Sequence, residues 1–553
     1  MKGLNQTGRF FETIVNVLFG ILVILILCAT VALDKTVNVA YPNTVPRPNA
    51  AYYLLAALLL LVLFRSLFVR RQRTGHAVLT PRRFYCALIS MALVVAVLQF
   101  FVARWVPLPH DVFNSDFKQV MDTAEKIANG GSFKGVSYFQ RSPNNLNITI
   151  VVSWAFRILH SQRAIIWLNA LLVNISMVLT SLAVFSFTGR KDVALVVAAL
   201  GEVLLALTWR AFLVYSDSFA MFFLALMIWL YTSRFKSAIK IPLIALCAAC
   251  AFYIKVTSII VTVALAINWL IRWLRGEDHK LDLRCMALYT ACFIVMFGAV
   301  LVFQKPIRTH YGFEPGEYPK GWQYLFMVGQ NSSGVGAAGG NNGELRDRFI
   351  EEYGDLKEIN QAFFEQGMEF IRERGVWGNL KFYMLKLTQI YNDGYLHNVQ
   401  NKKIYKMDRT FLYNLYVHKG DYYQFTAVIF QVLWDAVLLV MMAYTLYEFL
   451  VYRHRRKERR ISSDGRAASL PGERERCYSR SQDIVRFSKL TLLGVTMYLL
   501  ILEGRAKYLY MYMPVIIMTF GVMFQNVGMA TSDMLGWMKR GRAAEMEQMK
   551  DAA

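Results

Sequence analysis

The feature that most limits what this chain can fold into is a series of apolar runs, each roughly 15 to 25 residues long, recurring from Ile14 to Phe524. Runs of that length suit helices that cross a bilayer, because the hydrocarbon core leaves a spanning backbone no water to bond. With 56% hydrophobic residues, the chain reads as a polytopic, all-α integral membrane protein, and a soluble enzyme is excluded. A net charge of +23 would point to nucleic acid in a soluble chain. Here the basic residues gather in short segments beside apolar runs, where they set orientation. Membrane lipids are therefore expected around the chain, and no nucleic-acid partner.

Three basic clusters mark the cytoplasmic side: Arg65, Arg70, Arg71, Arg73, Arg82 and Arg83; Arg272, Arg275, Lys280 and Arg284; and Arg453, Arg455, Arg456, Lys457, Arg459 and Arg460. Early candidate spans are Ile14 to Leu33, Ala51 to Val69 and Phe84 to Val102; later ones are Phe219 to Tyr231, Ile241 to Ile254, Val256 to Ile271, Met286 to Phe303, Phe425 to Val451, Leu490 to Leu502 and Tyr508 to Phe524. Between Leu146 and Leu207 lie three apolar pieces where the flanking markers require an even number of crossings, so one is expected to be short, re-entrant or fused; with Arg190-Lys191 cytoplasmic, the first is the one that does not cross fully. The total is about 12 spans with both termini inside. The first apolar segment has no small-residue cleavage site and reads as a retained helix. The seven cysteines avoid both large outer loops, so no disulfide framework is expected.

These boundaries divide the chain into N-terminal transmembrane helices (1–103), a first extracytoplasmic loop with an amphipathic helix and the candidate catalytic residues (104–145), central transmembrane helices (146–303), a second extracytoplasmic loop region (304–424), a transmembrane helix (425–451), a basic cytoplasmic linker (452–489), C-terminal transmembrane helices (490–527) and a cytoplasmic tail (528–553). In the first loop, Phe117, Val120, Met121, Ala124, Ile127 and Ala128 recur at helical spacing. Asn114 or Ser115 can cap that helix, and Gly130-Gly131 ends it.

Polar residues at several span boundaries fall on the outer side of this topology: Asp111 and Asp116, Arg210 and Asp217, Lys255, and Glu503, Arg505 and Lys507. Charges at apolar helix ends are costly unless paired or hydrated. Plainer readings exist: basic side chains snorkel to headgroups, Asp116 favours a helix N-terminus, and Asp217 and Glu503 form structural ion pairs. Yet basic residues are normally rarer on the outer face, so the cluster asks for an anionic partner. A lipid-linked phosphate satisfies it, with its tail between helices and its headgroup among the cations. A carboxylate beside such a phosphate completes a transferase, acting as base toward an acceptor hydroxyl.

In this order the residues resemble the GT-C superfamily of polyprenyl-phosphate-sugar-dependent glycosyltransferases, nearest to bacterial relatives of protein O-mannosyltransferases and aminoarabinose transferases. The resemblance runs from Asp111 to Pro514. It rests on Ser115-Asp116-Phe117 with Ala124 and Gly130-Gly131, on Tyr138 through Asn145, on Tyr215-Ser216-Asp217, on Lys255-Val256-Thr257, on Met327 through Asn331, on Tyr391-Asn392-Asp393-Gly394, and on Glu503-Gly504-Arg505-Ala506-Lys507-Tyr508. Ser142 interrupts the usual Tyr-Pro spacing, Val256 replaces a proline, and Lys507 stands where an arginine is common.

The resemblance implies a GT-C-like bundle in the plasma membrane, with its site on the extracytoplasmic face. Asp116 would be the catalytic base, with Asp111 in reserve, and Arg505, Lys507 and Lys255 would lie near the donor phosphate. Asp217, Arg210, Arg141, Asn144, Asn145, Asn392, Asp393, Glu503 and Tyr508 are the further candidates for the cavity. The expected donor is a polyprenyl-phosphate-linked sugar, and the acceptor a hydroxyl of a cell-envelope glycopolymer, glycolipid or protein. No cofactor is required in such a scheme; a divalent metal at His110, Asp111 and Asp116 is the minor alternative. A lipid-linked sugar flippase or transporter is the main rival, and a glycan polymerase or ligase a third reading.

Overall fold

The computed structural model describes residues 2–40, 50–73, 79–105, 116–276, 279–316, 320–331, 343–396, 411–416, 420–461 and 472–527. Their secondary structure is helical throughout, with no strand among them. Nine helical segments are long and apolar enough to cross a membrane: Asn5–Val31, Pro81–Trp105, Gln162–Thr188, Ser237–Ile254, Val256–Arg275, Leu283–His310, Tyr423–Phe449, Gln482–Ile501 and Ala506–Val527. Two shorter apolar helices, Ala51–Ser66 and Ser216–Thr232, accompany them, and the helix Lys191–Gly201 is continued by the π-helical turn Glu202–Ala206. The basic linker around 462–471 and the tail after Val527 lie outside the described residues.

Side-chain contacts sort the helix termini into two ends. At one end Arg486, 2% exposed, donates to Asn268 Oδ1 at 2.7 Å, to Asp483 Oδ1 at 3.1 Å and to Glu12 Oε1 at 3.1 Å. Asn268 Nδ2 in turn donates to Tyr231 Oη at 3.2 Å, and Arg275 pairs with Glu12 at 2.9 Å. A buried guanidinium needs this many acceptors to offset its lost hydration. Tyr231 and Arg275 stand at the far ends of the helices that begin beside Asp217 and Lys255, and Arg486 stands near the start of the Gln482–Ile501 span that ends beside Glu503. Seventeen residues of helix from Ile259 to Arg275 separate the two levels by about 25 Å.

The first apolar piece of the 146–207 region, the helix Leu146–Leu159, lies along the Asp217 end. Near its start Asn147 Nδ2 donates to the Tyr253 carbonyl at 2.6 Å, and further along Trp154 Nε1 donates to Tyr311 Oη at 2.8 Å. The next helix starts at that same level, where Gln162 Nε2 donates to Glu125 Oε2 at 2.5 Å.

The amphipathic helix forms over Asp116–Ala128 and buries Val120, Met121, Thr123, Ala124 and Ile127 against Leu146–Leu159. It ends where expected: Gly130, at φ 87°, adopts the left-handed conformation that L side chains resist, and Gly131 N–H returns to the Lys126 carbonyl at 2.8 Å. Its expected caps Asn114 and Ser115 lie outside the described residues.

Three chain interruptions define the Asp217 end. After Ala206 the α-helix stops until Ser216, with a 3-10 turn at Trp209–Phe212 between, after Ile254 the chain makes a short 3-10 turn, and after Ile501 it has no helix until Ala506. Each break frees carbonyls that the apolar surroundings cannot hydrate. Gln99 Nε2 donates to the Ala170 and Ala206 carbonyls at 3.0 and 2.8 Å, and Asn169 Nδ2 to those of Ala211 and Leu213 at 2.7 and 3.2 Å. At the third break Lys386 Nζ is held by the carbonyls of Gly329, Leu500 and Leu502 at 2.6, 2.8 and 2.5 Å. Helical pieces from the second loop region thus dock directly on a span terminus. A Cβ on Gly329 would sit 2.5 Å from the Leu502 backbone, so the close approach requires glycine.

The Leu356–Tyr391 helix bends at Gly375, which has φ 60°. Beyond the bend Phe382, Lys386 and the run Leu387 through Tyr391 are buried. Tyr391 shares a hydrogen bond with Thr496 at 2.6 Å, in the interior of a span. This part of the 304–424 region is packed inside the bundle.

Candidate functional site

The three breaks and the start of the amphipathic helix bring most of the sequence candidates together. Asp217, buried at the start of Ser216–Thr232, pairs with Arg210 at 3.2 Å and with Lys255, which ends the preceding side of the second break. Arg210, also buried, lies over the Tyr510 ring at 5.2 Å. These two cations neutralise Asp217 and make it an acceptor for them rather than a base.

Asp116 is different. It is exposed at the head of its helix and makes no ion pair among the described residues. Tyr215 Oη donates to its Oδ2 at 3.4 Å, and the Tyr215 ring packs edge-on against Phe117 with centroids 5.0 Å apart. Tyr138 approaches from the Ser137–Arg141 helix, and Asn145 Nδ2 donates to its hydroxyl at 2.5 Å. Burial, then the Asp116 carboxylate, raise both phenols above the ordinary tyrosine range, so both remain protonated donors toward Asp116.

From the third break, Glu503 pairs with Arg505 at 3.3 Å and accepts from Tyr508 Oη at 2.6 Å. Burial raises the Glu503 carboxyl, but Lys507 and Arg505 outweigh it and hold the group below the usual glutamate range. Lys507 lies within electrostatic reach of Glu503, Arg505, Arg210 and Asp116, and makes no ion pair among the described residues. Lys320, which sequence reasoning missed, lies on the same side: it interacts with Arg346, Asp116, Arg141 and Glu503, and burial lowers its pKa. Its amide donates to the Arg141 carbonyl at 3.1 Å.

An open pocket of about 420 Å³ lies against this group, lined by Asp116, Gln119, Gly135, Val136, Ser137, Tyr138 and Arg141. That volume is in the range of small-molecule sites. Asn145 is buried behind Tyr138, while Asn144 is exposed and turned to its neighbour at 3.5 Å. Around the site, six cations (Arg141, Arg210, Lys255, Lys320, Arg505 and Lys507) face three carboxylates (Asp116, Asp217 and Glu503).

Asn392 and Asp393 belong elsewhere. They form the turn after the buried end of Leu356–Tyr391, where Asp393 Oδ1 accepts from Tyr395 N at 3.0 Å and Gly394 N donates to Gln431 at 2.9 Å. Their surroundings are Tyr395, Tyr423 and the Tyr423–Phe449 span. Asp111 and His110 lie outside the described residues. Among the described residues no group of three or more His, Cys, Asp or Glu stands close enough to hold a metal ion.

Fold and site together define an all-helical integral membrane protein whose interrupted helices gather a cation-rich polar group at one end of the bundle. The chain belongs to the family described as "Conserved hypothetical integral membrane protein", whose model matches residues 7–451. No curated protein and no solved structure matches it.

Proposed function

We propose that the protein is a glycosyltransferase of GT-C type that moves a sugar from a polyprenyl phosphate to a hydroxyl of an extracytoplasmic cell-envelope glycopolymer, glycolipid or protein. The observation that carries this reading is the excess of cations beside one carboxylate that makes no ion pair among the described residues, at the ends of membrane-length helices. The nine membrane-length helices, with the shorter apolar helices Ala51–Ser66 and Ser216–Thr232, support a polytopic bundle of the kind this reading needs.

In this mechanism the donor's lipid tail lies among the helices, and Lys507 and Arg505, with Lys255 behind them, hold its phosphate. Asp116 accepts the proton of the acceptor hydroxyl as that oxygen bonds to the anomeric carbon. The bond from that carbon to the phosphate oxygen breaks on the opposite face, and its electron pair leaves with the phosphate, whose charge the cations stabilise. One displacement inverts the configuration. Asp217 keeps Arg210 and Lys255 in place, and Tyr138 and Tyr215 orient Asp116.

The test is transfer in liposomes from radiolabelled polyprenyl-phosphate sugars to extracted envelope acceptors. Asp116→Asn should lower turnover by at least ~100-fold, the scale of general-base loss. Lys507→Ala and Arg505→Ala should raise donor KM and lower kcat. Unchanged transfer by Asp116→Asn removes the assigned base, and translocation of the lipid without covalent transfer replaces this reading with a flippase.

A further inference from the structure

A second concavity lies on the helical region that follows the Leu283–His310 span. It is an open groove of about 630 Å³ whose walls include Trp322, Gln323, Asp355, Asn360, Gln361 and Phe364. Trp322 is 59% exposed and meets Phe364 edge-on at 5.9 Å. Asn360 Oδ1, on the same wall, is shielded from solvent and has no hydrogen-bond partner among the described residues. Asp355 is already committed, accepting from the backbone N–H groups of Lys357 and Glu358 at 2.9 and 3.2 Å, where it caps its helix.

We propose that this groove binds a neutral glycan, the acceptor chain of the reaction, with a sugar ring on the Trp322 indole and hydroxyls on the amides of Gln323 and Asn360 and on Gln361 Oε1, the Gln361 Nε2 being committed to Glu365 at 2.8 Å. The identity of the ligand as the acceptor rests on the glycosyl-transfer reading. An indole face covers the apolar C–H face of a sugar ring, and amides supply both donors and acceptors for its hydroxyls. A phosphate would want cations, and the groove offers Lys357 beside Asp355 with no basic excess. A plain lipid anchor looks different in this same region: Val376, Trp377 and Leu380, just past the Gly375 bend, are 82, 80 and 51% exposed, and the neighbouring Asn379 amide is committed to the Ile371 and Gly375 carbonyls.

Position joins the groove to the chemistry. The Lys320 amide is bonded to the carbonyl of Arg141, and Arg141 lines the Asp116 pocket. Trp322 follows two residues later, at most about 7 Å along the chain. A linear glycan seated on Trp322 therefore has its end within reach of the pocket where Asp116 would take its proton.

The experiment uses the full chain in nanodiscs, titrated with a panel of neutral linear hexose and pentose oligosaccharides and with envelope glycan fragments, followed by tryptophan fluorescence and calorimetry. Wild type should bind at least one probe; Trp322→Ala should weaken that binding tenfold or more, and Asn360→Ala severalfold. Trp377→Ala should bind as wild type does, which separates loss of the groove from loss of any exposed indole. Asp116→Asn should keep glycan binding while losing transfer, so the groove and the transferase reading fail separately. Wild-type protein that binds no probe, or Trp322→Ala that binds as tightly as wild type, overturns the proposal.

Discussion

Lys386 shows how one residue can hold two regions of this protein together. Its three carbonyl partners lie 57, 114 and 116 residues away in sequence, on the Trp322–Gln330 helix and on the terminus of a span. Three N–H donors meet three acceptors, and no neutral side chain of similar length can replace them. Lys386→Met should leave the Gly329, Leu500 and Leu502 carbonyls without this donor and destabilise the detergent-solubilised protein by about 3 kcal/mol or more, read as a lower melting temperature. A melting temperature equal to wild type would show that the clamp is dispensable. The cost of burying charge made Arg210, Asp217 and Lys255 legible from sequence, because each interrupts an apolar run. Lys386 was not legible: in Met384-Leu-Lys386-Leu-Thr388 it reads as one more cation on a helix, and its partners are backbone atoms that no residue pattern marks.

At the scale of elements, the site is built from places where helices stop, and each stop is satisfied by a buried amide or ammonium from another helix. Asn169 stabilises the segment that carries Arg210 and leads into Asp217, since its side chain satisfies the carbonyls of Ala211 and Leu213. Asn169→Leu keeps the volume and removes both donors, so it should cost about 2 to 4 kcal/mol. It should also loosen the Arg210–Asp217 pair, and transfer should fall more than the folded fraction does; a proportional fall would confine Asn169 to stability. The helical spacing of Phe117, Val120, Met121, Ala124, Ile127 and Ala128 made the Asp116–Ala128 helix readable, because an amphipathic period is a local signal. Tyr391-Asn392-Asp393-Gly394 misled for the opposite reason: its residues are those of a surface turn, and only tertiary packing against Trp434 and Gln431 carries it into the bundle.

For the whole molecule, the two ends of the bundle differ in what they hold. Arg82, Arg83, Arg190, Lys191, Arg234, Lys236, Arg272, Arg275 and Arg284 all stand at the level of the Arg486 network, on connections away from Asp116. Lys191 Nζ ties two of these connections together by donating to the Leu79 carbonyl at 2.7 Å. Basic loops are retained on the cytoplasmic side, whereas Asp116 and its pocket are at the opposite level. The proposed orientation, with the pocket outside, is the one in which these basic connections face the cytoplasm. It can be read in intact cells of a cysteine-free variant carrying one new thiol at a time. Gln119→Cys, on the wall of the Asp116 pocket, should react with a membrane-impermeant maleimide before the cells are opened. Arg284→Cys, exposed at the other level, should react only afterwards. The reverse pattern would turn the bundle over and put the cation-rich end in the cytoplasm. In that orientation an extracytoplasmic acceptor could not reach Asp116, and a cytoplasmic substrate would have to be sought for the same pocket.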